Sequence, residues 1–392
     1  MRLLHIADFH FDRAFEGLPQ NQGIDFTNLE GINQQVWQNT LDIALKRQVD
    51  AVILAGDTFH QVQSSLKMQR LFFDGLQQLA QAKIQIVVIF GNHDYYQENK
   101  FWFHFPEEAI VFTEEKVSTK IIPLANGETV AFSGFSFTKP WIVEEKALEF
   151  PLRERVDYHI GIYHGEIGNK NRYAPFQVGQ LAEKGYDYWA LGHIHKGQQV
   201  FERGYYAGTP QGHNQKENSG TGVLLVDIKG SNLSVEAVSV AEVDWQAQPI
   251  SLKDLKEIGQ LGATFVGKIK AALATQRQTF LRLSLQDYDQ LGNEFIKRVQ
   301  SGEALSLLNQ QLQQVHEPIV VTEINLESVA SESGLPISEE LLNQGLALYQ
   351  DQEIFNNALK DLTANPDLRG ILADDFQEQV LRATQKLIKL QE

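Results

Sequence analysis

Five short apolar runs in the first half of the chain each stop abruptly at a polar cluster. Leu3–Ala7 runs into Asp8-Phe9-His10, Ala51–Ala55 into Gly56-Asp57, and Ile84–Phe90 into Gly91-Asn92-His93-Asp94. His159–Tyr163 runs into His164-Gly165-Glu166, and Tyr188–Leu191 into Gly192-His193-Ile194-His195. Runs rich in β-branched residues, with no polar alternation, predict strands buried on both faces. Helix-length stretches separate the first three. Val36, Leu41, Ala44 and Leu45 share one apolar face, and Met68, Leu71, Phe72, Leu76 and Leu79 share another. Strand alternating with helix predicts an α/β core. In such cores ligands gather beyond the carboxyl ends of the strands, so five clusters far apart in sequence can converge.

From about residue 196 the pattern changes. Phe201–Ala207, Gly222–Ile228 and Leu233–Val240 read as strands, with a polar Gly-rich loop from Gly208 to Gly222. Trp245–Leu252 reads as a connection between domains. Beyond it, Asp254–Gln276 predicts a helix, Thr279–Leu285 an alternating half-buried strand, Phe295–Leu312 a helix and Pro318–Leu326 a strand. This is a small α+β unit. The remainder predicts helices: Ser338 can cap the first, Pro366 separates the two, and Phe376, Val380, Ala383, Leu387 and Leu390 form one stripe. Three parts are therefore expected, residues 1–245, 246–332 and 333–392.

Composition narrows the chemistry. Apolar residues make up 43% of the 392, which is enough for a real core. There is no cysteine, which excludes disulfide scaffolds, thiolate zinc sites and iron–sulfur clusters. Any metal must be held by His, Asp, Glu or Asn. The formal net charge of −16 argues against a general polyanion binder, but not against a site where cations supply the positive charge. No apolar run approaches the roughly 20 residues that cross a bilayer. The short apolar run before Asp8 is no secretory signal. A cytoplasmic protein without a membrane role is expected.

Six of the 11 histidines fall in or beside the five clusters. Asp8 and His10, two apart, would leave a strand on the same side, as would His193 and His195. With Asp57, Asn92 and His164 they make seven donors: four imidazoles, two carboxylates and an amide. Seven are too many for one ion and suit two that share a carboxylate. Without sulfur, the set favours Mn²⁺, Fe or Zn²⁺. Two-metal sites of this kind clamp both oxygens of a phosphoryl displacement.

The ordered series D-x-H, G-D, G-N-H-D, H-G and G-H-x-H resembles the calcineurin-like metallophosphoesterases. Gly56-Asp57-Thr58-Phe59-His60, and Gly192-His193-Ile194-His195 followed by Tyr206-Ala207-Gly208-Thr209-Pro210-Gln211, resemble the SbcD-type DNA-repair nucleases. Phe15-Glu16-Gly17-Leu18, Tyr173-Ala174-Pro175-Phe176 and Tyr186–Leu191 resemble the YhaO-like branch of that group. The likeness is strong over residues 1 to about 245. It implies a two-sheet sandwich flanked by helices, an α+β cap and a helical tail. It implies one cation on Asp8, His10, Asp57 and His195, and a second on Asp57, Asn92, His164 and His193, with Mn²⁺ the expected ion. His93 would protonate the leaving oxygen, His60 would steer the substrate or stabilise the transition state, and Asp94 would fix an imidazole. The implied activity is exonuclease action on DNA ends with endonuclease action on single strands, by a homodimer working with an SMC-like (SbcC-type) ATPase. In place of an Arg-bearing loop after Gln211-Gly212, this chain reads His213-Asn214-Gln215-Lys216-Glu217.

Other residues have blander readings. His5 and His159 lie inside apolar runs and are expected as core histidines, and His104, His213 and His316 as surface or loop residues. The aromatic stretch Tyr95, Tyr96, Phe101, Trp102, Phe103 and Phe105 could stack on bases, but packing of a long loop is favoured. Phe73 either widens the buried face of its helix or pairs two subunits. Lys170, Arg172 and Lys196 could meet DNA phosphates or be ordinary solvated charges. Two other functions fit the same residues: a phosphodiesterase or phosphatase for small molecules or phosphoproteins, and a non-catalytic scaffold of an ATPase–DNA complex.

Overall fold

A computed structural model describes residues 1–18, 29–124, 126–168, 171–218, 222–255, 261–273 and 277–327, with isolated positions beyond 346. Met1–Glu327 form one compact unit and Ser328–Glu392 a second. The helices expected from Ser338 onward lie almost wholly outside the described residues. No helix among the described residues is long and apolar enough to cross a membrane.

The first unit begins β1 (Arg2–Ile6), α1 (Leu29–Lys46), β2 (Ala51–Ala55), α2 (Leu66–Gln81), β3 (Gln85–Ile89) and β4 (Ile110–Val111). It continues β5 (Ser118–Pro123), β6 (Thr129–Gly134), β7 (Tyr158–His164), α3 (Val178–Ala182), β8 (Tyr188–Gly192), β9 (Gln198–Phe201), β10 (Gly204–Tyr206), β11 (Val223–Lys229) and β12 (Asn232–Val238). Two six-stranded sheets result, ordered β12-β11-β1-β2-β3-β4 and β5-β6-β7-β8-β10-β9. The central strands β1 to β4 are parallel, and so are β6, β7, β8 and β10. The pairings β1–β11, β11–β12, β5–β6 and β9–β10 are antiparallel.

The apolar runs are continuous because both faces of the strands are covered. Leu3, Ile53, Val87 and Ile89 face the second sheet's Val130, Phe132, Ile160, Ile162 and Ala190. Their neighbours Leu4, Ile6, Val52, Leu54 and Val88 face α1 and α2 through Val36, Leu41, Phe72, Leu76 and Leu79. On the far side of the second sheet an aromatic cluster of Phe135, Phe150, Tyr163, Phe176 and Trp189 does the covering. Ser65 caps α2, its hydroxyl accepting from the Met68 N–H. Phe73 is buried inside this unit, its ring 5.4 Å from Phe101 and 4.9 Å from Phe105. In the aromatic stretch after Asp94, Tyr96, Phe101, Phe103 and Phe105 therefore pack on the core that holds α2, Tyr95 packs on the aromatic cluster of the second sheet, and Trp102, 75% exposed, stands clear.

The rest of the unit is β13 (Val243–Ser251), α4 (Leu261–Ala272), β14 (Gln278–Gln286), α5 (Gly292–Gln300), α6 (Glu303–Gln314) and β15 (Ile319–Leu326). The stretch expected as a connection at 245–252 is most of β13. All three strands are parallel, so each link crosses over through helix. The single helix expected over 295–312 is two, broken at Ser301-Gly302, where Gly302 has φ +79°. Leu281, Leu283 and Leu285 face the helices, while Phe280 turns to Trp245 and Phe15 at the border with the first sheet.

Candidate metal centre

Every polar cluster lies at or just past the carboxyl end of a parallel strand: β1, β2, β3, β7 and β8. Strand alternation does not place the paired residues. Asp8 and His10 follow the end of β1 in left-handed backbone, at φ +48° and +46°. Asp57, at +50°, and His193, at +102°, share this conformation. Each such residue costs about 1–3 kcal/mol. Four at one place are sustained only because neighbouring turns lock together: Asp8 N donates to Gly56 O at 3.1 Å and His10 N to Asp57 O at 3.0 Å.

All seven expected donors meet. Asp8, His10 and His195 offer donor atoms within 4.8 Å of one another, and so do Asp57, His164 and His193. Asp57 lies between the groups, its Oδ2 3.9 Å from His10 Nε2 and 3.4 Å from His164 Nε2. Asn92 Oδ1 is 3.2 Å from His164 Nε2 and 3.1 Å from His193 Nδ1. Asp8, His10, Asp57 and His164 are buried at the floor, while Asn92, His193 and His195 are half-buried at the rim.

The donor set fits divalent cations. His164 Nδ1 donates to the Ala55 carbonyl at 3.0 Å, so in the neutral ring Nε2 turns a lone pair toward two oxygens, Asp57 Oδ2 and Asn92 Oδ1. Burial opposes charge on His164, but Asp57 and Asp8 outweigh it and raise its pKa to about 9. The site thus favours positive charge at that point, which a cation supplies. Burial raises Asp8 to about 6. Asp57 is pushed up by burial but held well below the ordinary carboxylate range by His164 and His10. Burial keeps His10 and His193 neutral, His193 at about 3, as ligand imidazoles must be. Oxygen and imidazole donors without sulfur suit Mn²⁺, Fe or Zn²⁺.

Residues 1–197 match the family model of the calcineurin-like phosphoesterases. This chain belongs to that family. It is 28% identical over 268 residues to the uncharacterized metallophosphoesterase YhaO of Bacillus subtilis, covering 67% of this chain and 65% of the relative. It is 25% identical over 259 residues to the DNA double-strand break repair protein Mre11 of Sulfurisphaera tokodaii, covering 61% and 62%. It is 35% identical over 96 residues to the D component of the nuclease SbcCD of Bacillus subtilis, covering 24% and 22%. The chain thus spans less than two thirds of the length of these relatives.

In this phosphoesterase the glycines of the clusters are spacers. A Cβ on Gly91 would lie 2.2 Å from Asp57 Oδ1 and 2.7 Å from His164 Cε1, and one on Gly56 2.4 Å from His164 Nδ1. Asp94, expected to fix an imidazole, instead binds backbone. Its Oδ1 accepts from Gly91 N at 2.8 Å and Asp57 N at 3.2 Å, and its Oδ2 from Thr58 N at 2.9 Å. It therefore ties the Asp57 turn to the Asn92-His93 turn. His93 N donates to Asp57 Oδ1 at 2.9 Å, and its Nδ1 donates to the His60 carbonyl at 3.3 Å. His60 stacks on His93 at 4.8 Å between centroids and 23° between planes.

Sequence reasoning missed the ring's outer support. Glu217 Oε1 lies 2.9 Å from His195 Nδ1 and 2.7 Å from an Arg13 guanidinium nitrogen. Burial raises the Glu217 pKa, but His195, the His213 N–H and Arg13 together hold it well below the ordinary range. His213, expected at the surface, is fully buried, with Nε2 3.1 Å from Asn33 Oδ1 and Phe15 packed on its ring at 5.2 Å. No spacing signal joins residue 13 to 217. The one available cue was the departure of residues 213–217 from the family's Arg-bearing loop. Of the basic residues singled out, Lys196 is exposed, Arg172 lies over the Trp141 ring at 5.7 Å, and Lys170 is outside the described residues. His5 and His159 are buried core histidines, hydrogen-bonded to Tyr188 and Ser133.

Proposed function

We propose that this phosphoesterase is a divalent-cation-dependent DNA nuclease, acting as an exonuclease on ends and an endonuclease on single strands. One cation would be held by Asp8, His10, Asp57 and His195, and the other by Asp57, Asn92, His164 and His193, with Mn²⁺ the first choice. When bound, such a pair supplies neutralising charge for the phosphoryl oxygens and acidifies water. The chain does the rest. Asp57 is shared by both groups and fixes their separation. His93 protonates the departing oxygen through Nε2, since Nδ1 is engaged by the His60 carbonyl. His60 steers the ester by packing on that ring.

The observation that carries this reading is the placement of His93. It lies outside the seven donors, half-buried at the rim, and is pinned to Asp57 through its own backbone. A sugar hydroxyl is a poor leaving group, and a proton donor fixed at the edge of a dinuclear site answers that need. The names of the Mre11 and SbcCD relatives point to DNA as the ester. On the same basis we assign residues 1–245 to catalysis, 246–332 to DNA recognition and 333–392 to an SMC-like ATPase partner, in a cytoplasmic homodimer.

The net charge of −16 favours a second reading, a phosphodiesterase for small substrates. The two separate in an assay with Mn²⁺ on bis-p-nitrophenyl phosphate, its mono-ester and end-labelled duplex and single-stranded DNA. Diester turnover with loss of the DNA end label is expected, abolished in Asp57→Ala and His93→Ala. Cleavage of the small esters with DNA left intact would overturn the nuclease assignment. Wild-type turnover no greater than that of Asp57→Ala would leave a scaffold.

A further inference from the structure

The two halves of the centre are supported differently. At one, His164 leans on a backbone carbonyl, Ala55 O, and His193 Nδ1 faces Asn92 Oδ1. At the other, His195 Nδ1 meets a carboxylate, Glu217 Oε1, at 2.9 Å. A carboxylate can only accept. His195 Nδ1 must therefore carry the hydrogen, which leaves the neutral ring's Nε2 as a lone pair aimed into the Asp8–His10–His195 group. There it lies 3.1 Å from His10 Nε2.

Glu217 is itself held. Its side chain is only 10% exposed. Oε1 also accepts from Arg13 at 2.7 Å and Asn214 Nδ2 at 3.3 Å, and Oε2 accepts from His213 N at 2.8 Å. Arg13 is braced from behind by Glu16 at 3.0 Å. The loop that carries the carboxylate is anchored on β13: Gln211 Nε2 donates to Val243 O and Trp245 Nε1 donates to Gly212 O, both at 2.9 Å. A carboxylate so fixed orients its imidazole and raises that ring's basicity as a ligand.

We propose that Glu217, locked by Arg13, is a positioning residue that fixes the tautomer and orientation of His195 and thereby sets the cation affinity of the Asp8–His10–His195 half independently of the other half. This inference rests on the dinuclear reading of the site and adds the device that makes its halves unequal.

The test is Mn²⁺ binding to the full chain, by calorimetry and by electron paramagnetic resonance of the bound ion. Wild type is compared with Glu217→Gln and Glu217→Ala, and thermal unfolding is recorded without metal. Wild type should take up two equivalents. In Glu217→Gln one equivalent should keep its affinity while the other weakens by roughly 10–100-fold. Glu217→Ala should weaken that same equivalent further. Glu217→Gln is close to isosteric and keeps an acceptor for His195 Nδ1–H, so it serves if Glu217→Ala does not fold. Equal weakening of both equivalents, no weakening of either, or failure of Glu217→Gln to fold would each overturn the assignment. Fewer than two equivalents in wild type would instead sink the dinuclear reading on which it rests.

Discussion

Replacing Asp94 by Asn removes one charge and changes almost no volume, yet the geometry predicts a large cost. The carboxylate is fully buried. Its two oxygens each serve a pair of backbone donors: Gly91 N and Asp57 N on Oδ1, Thr58 N and the more distant Phe59 N, at 3.4 Å, on Oδ2. An amide has one acceptor oxygen and an NH₂ group. Whichever way it turns, two hydrogens confront one of those pairs. A buried donor left without an acceptor costs about 1–3 kcal/mol, so the expected loss is about 2–5 kcal/mol. At roughly 2–4 °C per kcal/mol for a domain of a few hundred residues, Tm should fall by about 5–15 °C. The assay is thermal unfolding in EDTA, which removes any contribution from bound cations, followed by Mn²⁺ titration of the folded variant. A Tm within about 2 °C of wild type, accompanied by weaker Mn²⁺ binding, would refute this account and restore Asp94 as an imidazole-orienting residue.

Gly91→Ala puts a methyl against Asp57 Oδ1 and His164, so Mn²⁺ affinity should fall by more than about tenfold. Unchanged calorimetric binding would show that the turns can part. Phe73→Ala removes a ring buried among Phe72, Phe101, Phe103 and Phe105 and should cost about 3–5 kcal/mol in urea unfolding. A loss under 1 kcal/mol together with a change in oligomeric mass by light scattering would place the ring at an interface between copies instead. His5 and His159 are held neutral by burial, with pKa values of about 3 and about 4. The unfolded chain binds their protons near pH 6.5, so it takes up protons that the folded chain refuses. Stability contributed by keeping them neutral is present above that pH and is lost as the pH falls toward 4, by about 1.4 kcal/mol per unit for each histidine. Urea midpoints at pH 7 and 5 test this: His159→Gln should shallow the slope, and an unaltered slope would count against the assignment.

The sequence alone determined the alternating core, the strand ends and the residues gathered there. These features are local. A strand buried on both faces must be apolar without interruption, and the polar residue that ends the run marks where backbone leaves the sheet for the ligand side. What covers each strand is not local, and there the tertiary structure decided. It turned Phe73 inward under the aromatic loop, and it made residues 243–251 a strand by supplying a parallel partner in residues 278–286. It buried His213 beneath Phe15. Asp8 and His10 converge through left-handed turns locked on the Gly56–Thr58 backbone, which alternation along a strand does not describe. Asp94 was visible as an acid beside the expected ligands, but its partners are backbone N–H groups that carry no sequence signature. The pairing of Glu217 with Arg13 and His195 joins three distant positions whose spacing follows no period. Only the packing of one sheet's loops against another's brings them within hydrogen-bond reach.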